Sequence, residues 1–193
     1  EREAVQAAEL RKGEKFPHSE AAALLMVEVD GNYEAQLDAE IETIAGCCVE
    51  AGAPDVFVAD DPEKRAFLWA MRRSIGEAVK SLSSYREEDT VVPRASLPKL
   101  VEAIHEVADR HGIRAISYGH IGDGNIHVNL LKGGLSDDEW ARKLDPAVRD
   151  LFARTAYMPL AFPPHHLELL RSLKRVFDPA GILNPGKILP DST

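Results

Sequence analysis

Residues 118–131, YGHIGDGNIHVNLL, leave the chain little choice of local fold. In IHVNLL the residues alternate, with Ile126, Val128 and Leu130 apolar on one side and His127 and Asn129 polar on the other. That is the period of a strand with one face in a core. The Gly-Asp-Gly-Asn quartet before it is made of turn formers, and RAISY, before that again, reads as a second apolar strand. The stretch therefore predicts an antiparallel hairpin. A hairpin is not stable alone in water, so further strands or helices must cover its apolar face.

Its polar residues admit three readings. If RAISYGH pairs across a tight turn, His120 lies opposite His127 on the same face, with Cβ atoms about 5 Å apart, close enough to share one divalent ion. A catalytic zinc or manganese site normally takes a third protein ligand, usually a carboxylate, and keeps one position open. In the plainer reading Gly122 and Gly124 supply positive φ, Asp123 and Asn125 hydrogen-bond the turn backbone, and the histidines are ordinary strand residues. A phosphate cradle lacks support, because the quartet has neither the lysine of a P-loop nor the third glycine of a dinucleotide fingerprint. The residues alone leave metal and turn both open.

The other elements set the fold class. Residues 1–20 are charged and weakly helical, a lead-in to a domain over 21–193. AALLMVEVDG (22–31) and DVFVAD (55–60) read as strands, with an amphipathic helix between them over 35–52, closed by Gly52. Asp61-Pro62 starts a long helix with Leu68, Met71, Ile75, Ala78, Val79 and Leu82 on its apolar face. TVVP (90–93) is a short strand, Ser96 caps a helix ending near Gly112, and Ser136 with Glu139 forms a capping box for another. HHLELLRSLKRVF (165–177) is the last helix, stopped by Asp178-Pro179. Helices with a central hairpin predict an α+β fold, an antiparallel sheet with helices packed on it in a ferredoxin-like sandwich.

Charge and apolar runs exclude some partners. With 32 acidic against 23 basic residues, the net charge is -9, and no stripe of lysine and arginine is available to neutralise phosphates. No apolar run approaches the ~20 residues of a membrane span, and no signal-peptide pattern opens the chain, so a cytoplasmic location is expected. Cys47 and Cys48 are adjacent, a poor geometry for a disulfide, and Cys48 falls in the stripe Leu37, Ile41, Ile44, Ala45, which predicts a buried packing role.

YGHIGDGNIHVNLL, FDPAGILNPGKIL, EDTVVPRASLP, LLMVEVDG and FLWAMRRSI occur together, in the order of the C-terminal domain of FAD-linked oxidases. The chain resembles that family, which includes the glycolate oxidase flavin subunit, D-lactate dehydrogenase and D-2-hydroxyglutarate dehydrogenase, over roughly Ala21 to Pro190. The resemblance implies the substrate-binding cap of an FAD-dependent 2-hydroxy-acid dehydrogenase, oxidising the hydroxy acid to the 2-oxo acid, with an FAD-binding domain as partner. It further implies that His120 and His127 are metal ligands for zinc or manganese, Asn129 and Arg72 substrate-binding residues, and Asn184 a cofactor-side contact. Arginine suits a carboxylate because its planar fork pairs with both oxygens.

The resemblance breaks after Thr155, where the family runs through a loop containing Glu-His-Gly-Ile-Gly. There the glutamate is the third metal ligand and the histidine a candidate base. Here AYMPLAFPPHHLELL follows directly. No catalytic base is therefore assigned, His165 and His166 read as capping or surface residues, and the chain alone is expected to be inactive. Glu87, Glu88 and Asp89 stand where some relatives carry a basic residue, which weighs against a dicarboxylate substrate. A domain separated from its flavin partner would expose apolar surface, so a homodimer is expected. The competing reading, from another class, is a stand-alone non-catalytic interaction module with the same fold.

Overall fold

The computed structural model describes residues 1–154 and 164–180, which divide into two compact units, residues 1–79 and the chain from Lys80 onward. Among the described residues, six α-helices and a three-stranded antiparallel sheet make the fold α+β, as expected.

The first unit is helical. Helix α1 (Arg2–Lys12) buries Ala4, Val5, Ala7, Ala8 and the carboxylate of Glu9, and ends at Gly13 with φ of 70°. Helix α2 spans Glu34–Glu50 and α3 spans Pro62–Lys80. Asp61 caps α3 as expected, its Oδ1 accepting the Lys64 N–H at 2.8 Å ahead of a first-turn proline. The predicted stripe of α3 is buried at Met71, Ile75, Ala78 and Val79.

Two expectations fail here. The segments 22–31 and 55–60 form no strands, and Leu25 and Val27 are 60% and 51% exposed. Strand-forming residues make a strand only when a neighbour closes the ladder, since each N–H and C=O otherwise turns to water. With no sheet in this unit, the α2 stripe of Leu37, Ile41, Ile44, Ala45 and Cys48 is half-buried throughout. Cys48 therefore does not have the buried packing role expected of it, and Cys47 is exposed.

The second unit holds the sheet. Strand β1 (Tyr85–Val91) is longer than TVVP, because all seven of its residues pair with β3. A 3-10 turn, Arg94–Ser96, leads into α4 (Leu97–His111), and Ser96 makes no side-chain cap bond. Gly112 ends α4 in the left-handed region, as predicted. Then come β2 (Arg114–His120), β3 (Asn125–Leu131), α5 (Asp137–Arg154) and α6 (Pro164–Phe177). The capping box of α5 is reciprocal: the Ser136 N–H donates to Glu139 Oε2 and the Glu139 N–H to Ser136 Oγ.

The strand order is β1-β3-β2, so β3, which carries His127 and Asn129, lies between the other two. One face of the sheet supplies Ala115, Ile126, Val128 and Leu130 to a core completed by Leu100, Ile104 and Val107 of α4 and Ala147 and Leu151 of α5. The opposite face carries His127 and Asn129 of β3 with Tyr118, Glu87 and Asp89, beside buried Ile116.

Candidate functional site

The pairing of β3 with both neighbours fixes which side chains meet on the polar face. His127 lies between Tyr118 of β2 and Asp89 of β1, and Asn129 lies between Ile116 and Glu87. His120 pairs with Asn125. The two histidines thus share a face as expected but are diagonal rather than directly opposite, with ring centroids 6.2 Å apart and edge to face. The register is set by the turn, which takes residues 121–124 and not 122–125, so Tyr118 stands across from His127 with ring centroids 5.2 Å apart.

The turn itself answers part of the plainer reading. Gly124 has φ of 77°, and a Cβ there would lie 2.0 Å from the Val92 carbonyl oxygen, so both conformation and space demand glycine. Gly122 has no positive φ and has open space around it. Asp123 Oδ1 accepts the Asn125 N–H at 3.1 Å, whereas Asn125 Oδ1 is buried with no hydrogen-bond partner.

Burial separates the candidates. His120 is exposed, His127 is half-buried, and Asn129 is fully buried with neither Nδ2 nor Oδ1 hydrogen-bonded. An unmet buried amide costs roughly 1–3 kcal/mol and calls for an explanation, of which a missing ligand is one. Arg72 is half-buried on α3, in the first unit. Asn184 and the junction after Thr155 lie outside the described residues. His165 and His166 are exposed at the start of α6.

Beside His127 stand charged groups that sequence reasoning did not assign to this face. Its Nδ1 touches the Asp89 carboxylate, and Glu87 Oε1 is 3.8 Å away. Glu87 Oε2 accepts from Lys80 Nζ at 2.6 Å, and that bond raises the Lys80 pKa above the ordinary lysine value. The alternation Glu87, Asp89, Val91 was the available signal, but its meaning depends on knowing that β1 pairs with β3. Among the described residues no group of three or more His, Cys, Asp or Glu is arranged to hold a metal ion. No described helix is long and apolar enough to cross a membrane.

Comparison with known proteins identifies the family. A family model described as "FAD linked oxidases, C-terminal domain" matches residues 1–155 and 152–188, two stretches that meet where the motif order breaks. A D-lactate dehydrogenase of Anaerostipes hadrus is 30% identical over 189 residues, 88% of this chain and 40% of that protein. The glycolate oxidase subunit GlcD of Escherichia coli strain K12 is 30% identical over 203 residues, 94% of this chain and 40% of its own length. A D-2-hydroxyglutarate dehydrogenase of Stutzerimonas stutzeri is 26% identical over 184 residues, 84% and 39% respectively. The chain thus spans about 40% of the length of these curated relatives.

Proposed function

The chain belongs to the C-terminal domain family of FAD linked oxidases, and from that premise we propose that it is the substrate-binding domain of an FAD-dependent 2-hydroxy-acid dehydrogenase of the glycolate or D-lactate type. The observation that carries the reading is the buried, unpartnered amide of Asn129 on the face that holds His120 and His127. A small hydroxy acid offers both the donor and the acceptors that such an amide lacks.

In this reading each residue has a limited task. Asn129 hydrogen-bonds and orients the substrate. Arg72, on the first unit, is the candidate for a carboxylate partner, since a guanidinium can offer a carboxylate two parallel N–H bonds. Asn184 is the candidate for a contact on the flavin side. His120 and His127 would hold a divalent ion, zinc or manganese, and their imidazoles are suitable donors for either. The two rings share one face of the sheet, with centroids 6.2 Å apart and edge to face. Among the described residues the set supplies two ligands and no third. When bound, the ion would supply Lewis acidity at the substrate hydroxyl, and FAD, on the domain that partners this one, would supply a hydride acceptor. A complete enzyme requires that second domain, so this chain alone is inactive, and its isolated form pairs with itself through apolar surface. Its setting is the cytoplasm.

Titration of the purified chain with Zn²⁺ and with Mn²⁺ by calorimetry tests the site. Weak binding is expected, because the ligand set is incomplete, and it should vanish in the double variant His120→Ala, His127→Ala. Unchanged affinity in that variant would remove the metal from the proposal.

A further inference from the structure

His127 Nδ1 is buried and has no hydrogen-bond partner, yet the Asp89 carboxylate touches it and a Glu87 oxygen stands 3.8 Å away. We propose that Asp89, backed by Glu87, is a positioning residue that holds neutral His127 in its Nδ1–H tautomer and thereby commits Nε2 to a divalent cation.

The argument is one of donors and acceptors. An ionised carboxylate only accepts, and a neutral imidazole has one donor nitrogen and one acceptor nitrogen. The Nε2–H tautomer would set the Nδ1 lone pair against oxygens of two carboxylates, with water excluded from that atom. The Nδ1–H tautomer sets a donor there instead and leaves the Nε2 lone pair available. A carboxylate behind a histidine is the usual means of fixing which nitrogen meets a metal.

The surroundings hold the arrangement in place. Register pairs Asp89 directly with His127 across β1 and β3, so backbone ladders, not a flexible loop, set the approach. Lys80 engages Glu87 Oε2 at 2.6 Å, which leaves Oε1 as the oxygen on the His127 side. Tyr118 packs on the imidazole from β2. A ring turned over about its axis would place a carbon against the carboxylates and lose the donor.

The inference deepens the metal reading of the same histidines, and its test separates the two. Nitrogen-15 NMR of the whole chain, in alkaline buffer where imidazoles are neutral, reads the His127 tautomer without any metal, with His127→Asn identifying its signals. Nδ1–H is expected in the wild type, and inversion to Nε2–H in Asp89→Asn, whose amide can donate to Nδ1. Glu87→Gln should leave the tautomer unchanged. Nε2–H in the wild type overturns the proposal, and this decides the matter even if Asp89→Asn does not fold. In the Zn²⁺ titration, Asp89→Asn should bind about 10–100-fold more weakly than wild type. A wild type that binds no Zn²⁺ but shows Nδ1–H upholds the role of Asp89 and removes the metal alone.

Discussion

The two faces of β3 are built from alternate residues of one seven-residue strand and meet opposite demands. On one face Ile126, Val128 and Leu130 lie in a core of aliphatic side chains from α4 and α5. On the other, His127 meets carboxylates, and Asn129 is fully buried with its amide unmet. Burial alone does not separate the faces, since Asn129 is as buried as Val128. Satisfaction does: the apolar face has what its residues require, and the polar face leaves groups open for something else. A strand between two neighbours can carry both because the ladder, not the side chains, holds its backbone.

Breaking the strand itself should affect both faces at once and give the largest effect. Gly124→Ala places a Cβ against the Val92 carbonyl at a left-handed position. A loss above about 3 kcal/mol is expected in denaturant unfolding, because the strain of a left-handed non-glycine residue, about 1–3 kcal/mol, adds to the conflict with the carbonyl. A loss under about 1 kcal/mol would mean that the turn shifts freely and that the register of the two histidines is not fixed by it. Leu130→Ala, on the core face only, should cost about 3 kcal/mol through lost transfer energy and a cavity. It should leave the His127 environment intact by NMR.

A buried polar group with all its partners provides the contrast to Asn129. Glu9 is 4% exposed, and its carboxylate accepts from Lys15 Nζ at 2.8 Å and from the Phe16 N–H at 2.9 Å. Burial pushes its pKa up, but the hydrogen bonds from Lys15, Ser19 and Phe16 outweigh it and hold the value below the ordinary glutamate range. A depressed folded pKa contributes stability that is fully present above the unfolded value, near 4.5, and lost as pH falls through the folded value. Glu9→Gln should therefore cost about 1–2 kcal/mol near neutrality. The gap to wild type should close in acid, and a gap constant with pH would show that charge is not what Glu9 contributes.

Legibility in the sequence followed the range of the interaction. The hairpin, the Asp61 cap, the Ser136–Glu139 box and the Gly112 stop are local, and each was predictable because a few neighbouring residues set its geometry. That His120 and His127 share a face was also legible, since the period of two carries it across a turn. Their exact offset was not, because one residue of turn position changes which side chain stands opposite. Nothing local told that Glu87 and Asp89 would flank Asn129 and His127, because β1 and β3 are joined through α4 and β2. The same limit explains residues 22–31 and 55–60, whose composition suits strands but whose pairing partners no local rule supplies.

The smallest effect is the most informative about the comparison. Asn129→Leu removes an amide that has no partner and puts an apolar group of similar size in its place. If the polar face is kept for a ligand, the change should stabilise the free chain, by about 1 kcal/mol, because the desolvation penalty of the amide disappears and nothing is lost in return. Thermal unfolding of variant and wild type in parallel measures it. A loss comparable to that of Leu130→Ala would instead mean that Asn129 is part of the packing, and the two faces of β3 would then differ in chemistry but not in purpose. A gain in stability would mark the amide as a group maintained at a cost to the free protein, as a residue that meets its partner only on binding should be.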